Sequence, residues 1–339
     1  MRRAASRRAN VLFAATCLAA ASQRLAAQSN SGAVDLLVPI GARATAMGSA
    51  YAAEEGGSAI WYNPAGLGRL SAPELAYDNF KTFFIDAHAG SLIVAAKGVG
   101  SIGLSVRYFD FGSTDITDEN GQPFGSARTS SLLLGATFAT NFGSRVTAGV
   151  TYRQYRLTQS CLGICAQRVA ETYVANAVDA GVQFRPLTDR PLQFGLALTG
   201  IGRDFQVKNQ AQADALPARV HLGASYVASL QQGTTPISLR FATEVLATPS
   251  LELPELHLGT ELAYDAPAGT LSAKAPATSL FARAGYVTQQ ATGAPSATGP
   301  SIGIGIRSGR IQLDYSRIFE QFSSELGRVP TYVSFRVGL

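Results

Sequence analysis

The sequence predicts an all-β chain, a transmembrane antiparallel β-barrel of about 14 strands, with an N-terminal helical or irregular segment as its plug. Three observations carry this. From Ser71 to Leu339, segments of about 8–12 residues alternate apolar with small or polar side chains, and each ends at a turn signal. Successive side chains of a strand point to opposite faces, so each segment has one apolar face and one polar face. No helical block follows Ser71, and no stretch reaches the ~18 uninterrupted apolar residues that a spanning helix needs.

The chain opens with an expected signal peptide at residues 1–27. Arg2, Arg3, Arg7 and Arg8 form its basic start, Val11 to Ala21 its short apolar stretch, and Ala26-Ala27 the small residues before a cut at Gln28. Export without a transmembrane helix points to a bacterial outer membrane, with its lipid as a partner. The leader also explains the net charge. Lys and Arg number 28 against 23 Asp and Glu, but five arginines (the four above and Arg24) lie in the leader, which holds no acid. The remainder carries 23 of each sign, so a nucleic-acid partner has no support.

Residues 28–70 differ from the rest. Gly41 to Ala53 is rich in Ala and helix-compatible, Glu54-Glu55-Gly56-Gly57 breaks it, and Asn63-Pro64 with Gly66 punctuates an irregular turn. A segment this short cannot form its own core. The inside of the barrel, residues 71–339, is its expected host.

Strands are expected at Glu74–Phe80, Asp86–Ala96, Ser101–Phe111, Ser130–Asn141, Arg145–Arg156, Val174–Arg185 and Leu192–Leu198. The second half adds Ala218–Ser229, Ile237–Leu246, Glu255–Tyr264, Ser279–Thr288, Ser301–Arg307, Ile311–Ile318 and Thr331–Leu339. Connections after even-numbered strands are mostly short, such as Lys97–Gly100 and Ser308–Arg310. Those after odd-numbered strands, such as Gly112–Thr129 and Leu157–Tyr173, are mostly long. Short periplasmic turns and longer outer loops give this alternation. Lys81–Ile85 and Asp265–Thr278 depart from it. Tyr108, Tyr152, Tyr286 and Tyr315 close outward rows at one end, and Phe138, Phe184, Tyr226 and Tyr264 at the other, as two interfacial girdles would. Val333, Phe335, Val337 and Leu339 form a terminal outward row of the kind taken up by barrel-assembly machinery, although it closes on Leu rather than Phe.

Alternation points Arg107, Arg153, Asp179, Gln183, Arg185, His221, Arg240, Glu244, His257, Glu261, Arg283, Arg307 and Asp314 into the lumen. There they avoid the ~2–4 kcal/mol that an Arg or Lys costs facing lipid at mid-bilayer. They either line a passage or form ion pairs that hold the plug. Enzyme chemistry is not expected. His88, His221 and His257 lie far apart, no nucleophile elbow or phosphate loop occurs, and neither metal nor cofactor is implied. Cys161 and Cys165, in an outer loop of an exported chain, are expected to pair as a disulfide.

The runs Val38 to Tyr51 and Ser58 to Leu67 together resemble the N-terminal signature of PorV/PorQ-type outer-membrane proteins, part of the wider FadL-like group of barrels. The resemblance rests on Gly41-Ala42-Arg43 with Met47-Gly48 and on Asn63-Pro64-Ala65-Gly66-Leu67. It implies a hatch carrying the Asn63, Pro64, Ala65 turn, and an accessory role in protein export and surface attachment with a type IX-like translocon and its cargo as partners. The alternative is a FadL-like channel for uptake of a hydrophobic small molecule.

Overall fold

The computed structural model describes residues 33–81, 85–96, 98–163, 171–187, 191–202, 205–206, 213–214, 216–232, 235–248, 254–269, 276–288, 298–319 and 330–339. The expected signal peptide and Cys165 lie outside these residues; Cys161 is disulfide-bonded. The first part consists of tight turns: 3-10 turns at Val34–Leu37, Gly57–Trp61 and Pro64–Leu67, with one short helix α1 at Ala42–Ala46. The helical composition of Gly41–Ala53 thus yields only five helical residues, because Gly48 at φ +61° and Ser49 at φ +59° turn the chain away at once.

The strands are β1 Glu74–Lys81, β2 Asp86–Ala96, β3 Gly100–Thr117, β4 Pro123–Phe142, β5 Val146–Gly163, β6 Glu171–Phe184 and β7 Leu192–Gly202. After two short strands, β8 Phe205–Gln206 and β9 Ala213–Asp214, come β10 Arg219–Gln232, β11 Thr235–Ala247, β12 Glu255–Ala266 and β13 Thr278–Val287. The last are β14 Gly299–Ser308, β15 Ile311–Ile318 and β16 Thr331–Gly338. Fourteen of them close an antiparallel barrel in which β1 pairs with β16; β8 and β9 pair only with each other in a separate ladder.

The wall has the predicted sidedness. Val106, Val150 and Ile304 are exposed on the outer surface, the last by 65%. Arg107 and Arg283, on the alternate row, are buried inside. Exposed Tyr108, Tyr152, Tyr286 and Tyr315 ring one end, and Phe138, Phe184, Tyr226 and Tyr264 the other. An apolar belt bounded by aromatic girdles is the surface that a lipid bilayer accepts, so the fold is that of an outer-membrane barrel.

β3, β4 and β5 run further than the sequence predicts. Gly112–Thr129 and Leu157–Tyr173 read as loops, yet strand pairing continues to Thr117, resumes at Pro123, and in β5 reaches Gly163. At about 3.3 Å per residue, the eighteen residues of β3 span about 60 Å, far more than an apolar band of ~25 Å. The three strands therefore project past the bilayer at the end opposite the chain termini. A register shift between Asp110 and Ser113, with Gly112 at φ +77°, bends β3 just beyond Tyr108, where the belt ends. We call this projecting end the outer one, following the short-turn rule for the opposite end.

The core lies inside the cylinder. Ile40, Tyr51, Ile60, Trp61, Tyr62 and Leu67 of the N-terminal segment pack against Phe80, Ile93, Phe109, Ile318 and Tyr332 of the wall. That is the expected plug, built from small and aromatic residues in place of a separate domain.

Candidate functional site

The plug lies on the wall backbone to backbone. Three cross-strand glycine pairs, Gly149 with Gly181, Gly195 with Gly223 and Gly259 with Gly285, face the lumen. A Cβ at Gly181 would meet Asn63 Oδ1 at 1.9 Å, and one at Gly285 would meet Gly48 N at 2.0 Å. The wall is bare where the plug crosses it. α1 is seated by its alanines and by hydrogen bonds: Ser334 Oγ accepts from Ala42 N at 2.7 Å, Ser301 Oγ donates to Ala46 O, and Thr45 Oγ1 lies 2.6 Å from Ser316 Oγ.

The expected hatch turn is fully engaged. Asn63 is extended, its Oδ1 accepts from Ala65 N at 3.1 Å, and its Nδ2 donates to Ala52 O at 2.6 Å. Pro64 fixes the entry to the following 3-10 turn, and its carbonyl lies over Gly149. Asn63, Pro64 and Ala65 are all buried.

The predicted lumen residues fall into groups. Glu261 accepts from Arg43, Arg283 and Arg240, and Asp314 pairs with Arg283 and Arg336. Arg240 also reaches Glu54, which holds Arg43. Arg153 pairs with Asp179 and approaches the carbonyls of Ile60 and Trp61. Arg185 and Arg69 share Glu55. Gln183 donates to Ala52 O and Glu54 O. Glu244 accepts from Tyr51 N and Ala52 N and faces His221 Nδ1 at 2.6 Å. His257 lies between Gly48 O and Glu255. Arg307 stands apart near the periplasmic mouth, partly exposed, 3.8 Å from Asp265. Most of these charges therefore tie plug to wall, and Arg307 does not.

Sequence reasoning missed the plug's own half of this network, Asp35, Arg43 and Glu54, and the wall residues Asp78, Arg219 and Arg336. The wall residues share inward rows with Ala76, His221 and Ser334, so alternation contained their signal. The plug has no period from which to read a face.

Above the plug, at the outer end, the chain before α1 folds back along the wall. Asp35 is buried and accepts from Tyr155 at 2.7 Å, from Ser131 at 2.7 Å and from Arg107 at 3.4 Å. Tyr62 Oη both accepts from Ile40 N and donates to Ile40 O. Between this strap and the wall lies a cavity of about 60 Å³, room for a few waters. Leu36, Leu37, Val38, Ile40 and Trp61 line one side, and Arg107, Arg153, Arg219, His221, Glu244 and His257 the other. A bulge in β7 adjoins it: β6 and β7 lose register around Asp179, whose Oδ1 accepts from Gly200 N at 2.8 Å. Among the described residues no His, Cys, Asp and Glu side chains are grouped as a metal site needs.

No family model matches the chain, and no curated protein does. Solved structures do. The crystal structure of the Ralstonia pickettii toluene transporter TbuX aligns with a TM-score of 0.54 at 12% identity, over 89% of this chain and 99% of that one. The P. putida toluene transporter TodX aligns at 0.55 and 13%, over 89% and 99%. The fold is shared with these transporter barrels. The monoaromatic hydrocarbon channel CymD aligns likewise, at 0.52 and 15%, over 89% and 98%. At such identities the likeness concerns architecture: the closed barrel and its strand order. None of these three is described as a PorV/PorQ protein.

Proposed function

We propose that the protein admits a hydrophobic or amphipathic small molecule from outside the cell, without enzymatic chemistry. The observation that carries this is the outer-end cavity, with Leu36, Leu37, Val38, Ile40 and Trp61 on the plug side and, on the barrel side, charged residues together with Leu246 and Val287. Binding sites for small molecules combine apolar lining with a few placed polar groups, and this cavity does so on a small scale. The plug beneath it denies a free aqueous path, which suits a solute that is first captured. TbuX and TodX, described as toluene transporters, and CymD, described as a monoaromatic hydrocarbon channel, share the architecture and lend support to this reading.

The export-accessory reading has weaker grounds. The signature residues behind it, Gly41 to Gly48 and Asn63 to Leu67, are taken up in packing plug against wall. They offer no surface to a translocon.

Uptake tests the proposal. In cells whose outer membrane carries the protein as its added barrel, the initial rate of radiolabelled toluene uptake should exceed that of the empty-vector strain. Leu36→Arg, which charges the apolar wall, should remove the excess while leaving barrel levels unchanged. Equal rates with and without the protein for toluene and for a medium-chain amphiphile would defeat the reading.

A further inference from the structure

Among the described strands, formal charge on the outward face of the wall is confined to one sector. On β6, β7 and β10 to β14 the outward rows hold no Asp, Glu, Lys or Arg. The rest of the barrel is the continuous arc β15-β16-β1-β2-β3-β4-β5. There the outward rows carry Arg317, Lys81, Asp86, Asp110, Arg128 and Arg156, at or just beyond the outer girdle. Lys81 lies 3.6 Å from Asp86, and Arg128 pairs with Asp110. Among the described residues no carboxylate lies within ion-pairing distance of Arg156 or Arg317. Arg317 stands over the Phe319 ring, 6.0 Å from its centroid, and its enclosed Nε meets no acceptor.

Height identifies what these two arginines meet. Arg317 lies two residues past Tyr315 on β15, and Arg156 four past Tyr152 on β5. At about 3.3 Å per residue on strands tilted ~40°, that is about 5–10 Å above the aromatic ring. The headgroup layer is roughly 5–8 Å deep on each side of the hydrocarbon. A guanidinium facing outward there meets lipid phosphates, which its planar fork binds through two parallel N–H bonds. Solvation alone would scatter such side chains around the whole rim. The same arc also supplies a wall for something taller than a phosphate: above Arg156 the outward rows of β4 and β5 hold Ser130, Thr158 and Ser160, where these strands project past the bilayer.

We propose that this arc is a docking surface for a phosphorylated glycolipid of the outer leaflet. Its acyl chains lie on the apolar belt, its phosphates meet Arg156 and Arg317, and its sugar hydroxyls meet the projecting β4 and β5. The two arginines are six strand spacings apart along the wall, about 29 Å at ~4.8 Å each, so they serve separate lipid molecules. This surface is on the opposite side of the wall from the cavity, and its failure would leave the uptake reading untouched.

Native mass spectrometry tests this on the full-length folded protein in non-ionic detergent, titrated with diphosphoryl lipid A or with phosphatidylglycerol. The wild type should retain two molecules of lipid A, at a concentration about tenfold or more below that needed for phosphatidylglycerol. Arg156→Gln and Arg317→Gln should each retain one at that concentration, and the double variant none. The second site of each single variant should be weakened about tenfold or more, the scale of one charge-assisted hydrogen-bond pair. If phosphatidylglycerol binds as tightly as lipid A, any anionic lipid suffices and the glycolipid site is wrong. It is equally wrong if the double variant binds lipid A as the wild type does. Should a variant fail to fold, judged by loss of the heat-modifiable gel band, the comparison of the two lipids on the wild type decides.

Discussion

The Asn63 amide donates to Ala52 O, accepts from Ala65 N and sets its Oδ1 against the bare backbone of Gly181. Removing the side chain orphans two buried backbone groups in part, since Ala52 O keeps its bond from Gln183. Asn63→Ala should therefore cost about 1–3 kcal/mol, seen as a lower temperature for conversion of the folded gel band. Gly181→Ala attacks the same contact from the wall. The added methyl would lie 1.9 Å from Asn63 Oδ1, so plug or strand must shift, at a typical overpacking cost of ~1–3 kcal/mol. Its expected signature is faster limited proteolysis within residues 33–67 with the barrel intact. The Asn-Pro turn was legible in sequence because Pro64 restricts Asn63 and an Asn side chain caps such turns. The need for glycine at 181 was not, because it arises from what the plug brings to that spot.

At the level of elements, alternation located the barrel strands closely. Asp86–Ala96 and Ile311–Ile318 match the observed β2 and β15 end to end, because lipid on one side and a filled lumen on the other enforce period two. Beyond the bilayer that constraint lapses. Past Phe111 the strand β3 carries Gly112, Ser113, Thr114 and Asp115, small or polar on both faces, and so read as a loop although pairing with β4 persists. Ile304→Arg places a charge on the lipid face and should cost about 2–4 kcal/mol near mid-bilayer, measured by denaturant titration of refolding into liposomes. Glu261→Ala leaves Arg43, Arg240 and Arg283 without their shared carboxylate. Breaking one partner out of a buried charge group costs ~3–5 kcal/mol, and the same titration should report a loss of that order; an unchanged midpoint would mean the cluster is not what fastens the plug to β12 and β13.

For the molecule as a whole, the cylinder was readable because a simple physical demand repeats fourteen times around it. The plug was readable only as something that had to be buried: its turns have no period, and its partners are distant in sequence, as with Ala42 and Ser334. Which lumen charges bind plug and which face the cavity depends on where that aperiodic segment lies. The central claim is that a backbone-docked plug seals the barrel and leaves a small amphipathic cavity as its outer face. Ion conductance of the purified protein in planar bilayers tests this most directly. The full chain should be silent, and a chain with residues 34–67 deleted should show steady open-channel current. Sustained current through the full-length protein, at a level matching the deletion, would contradict it.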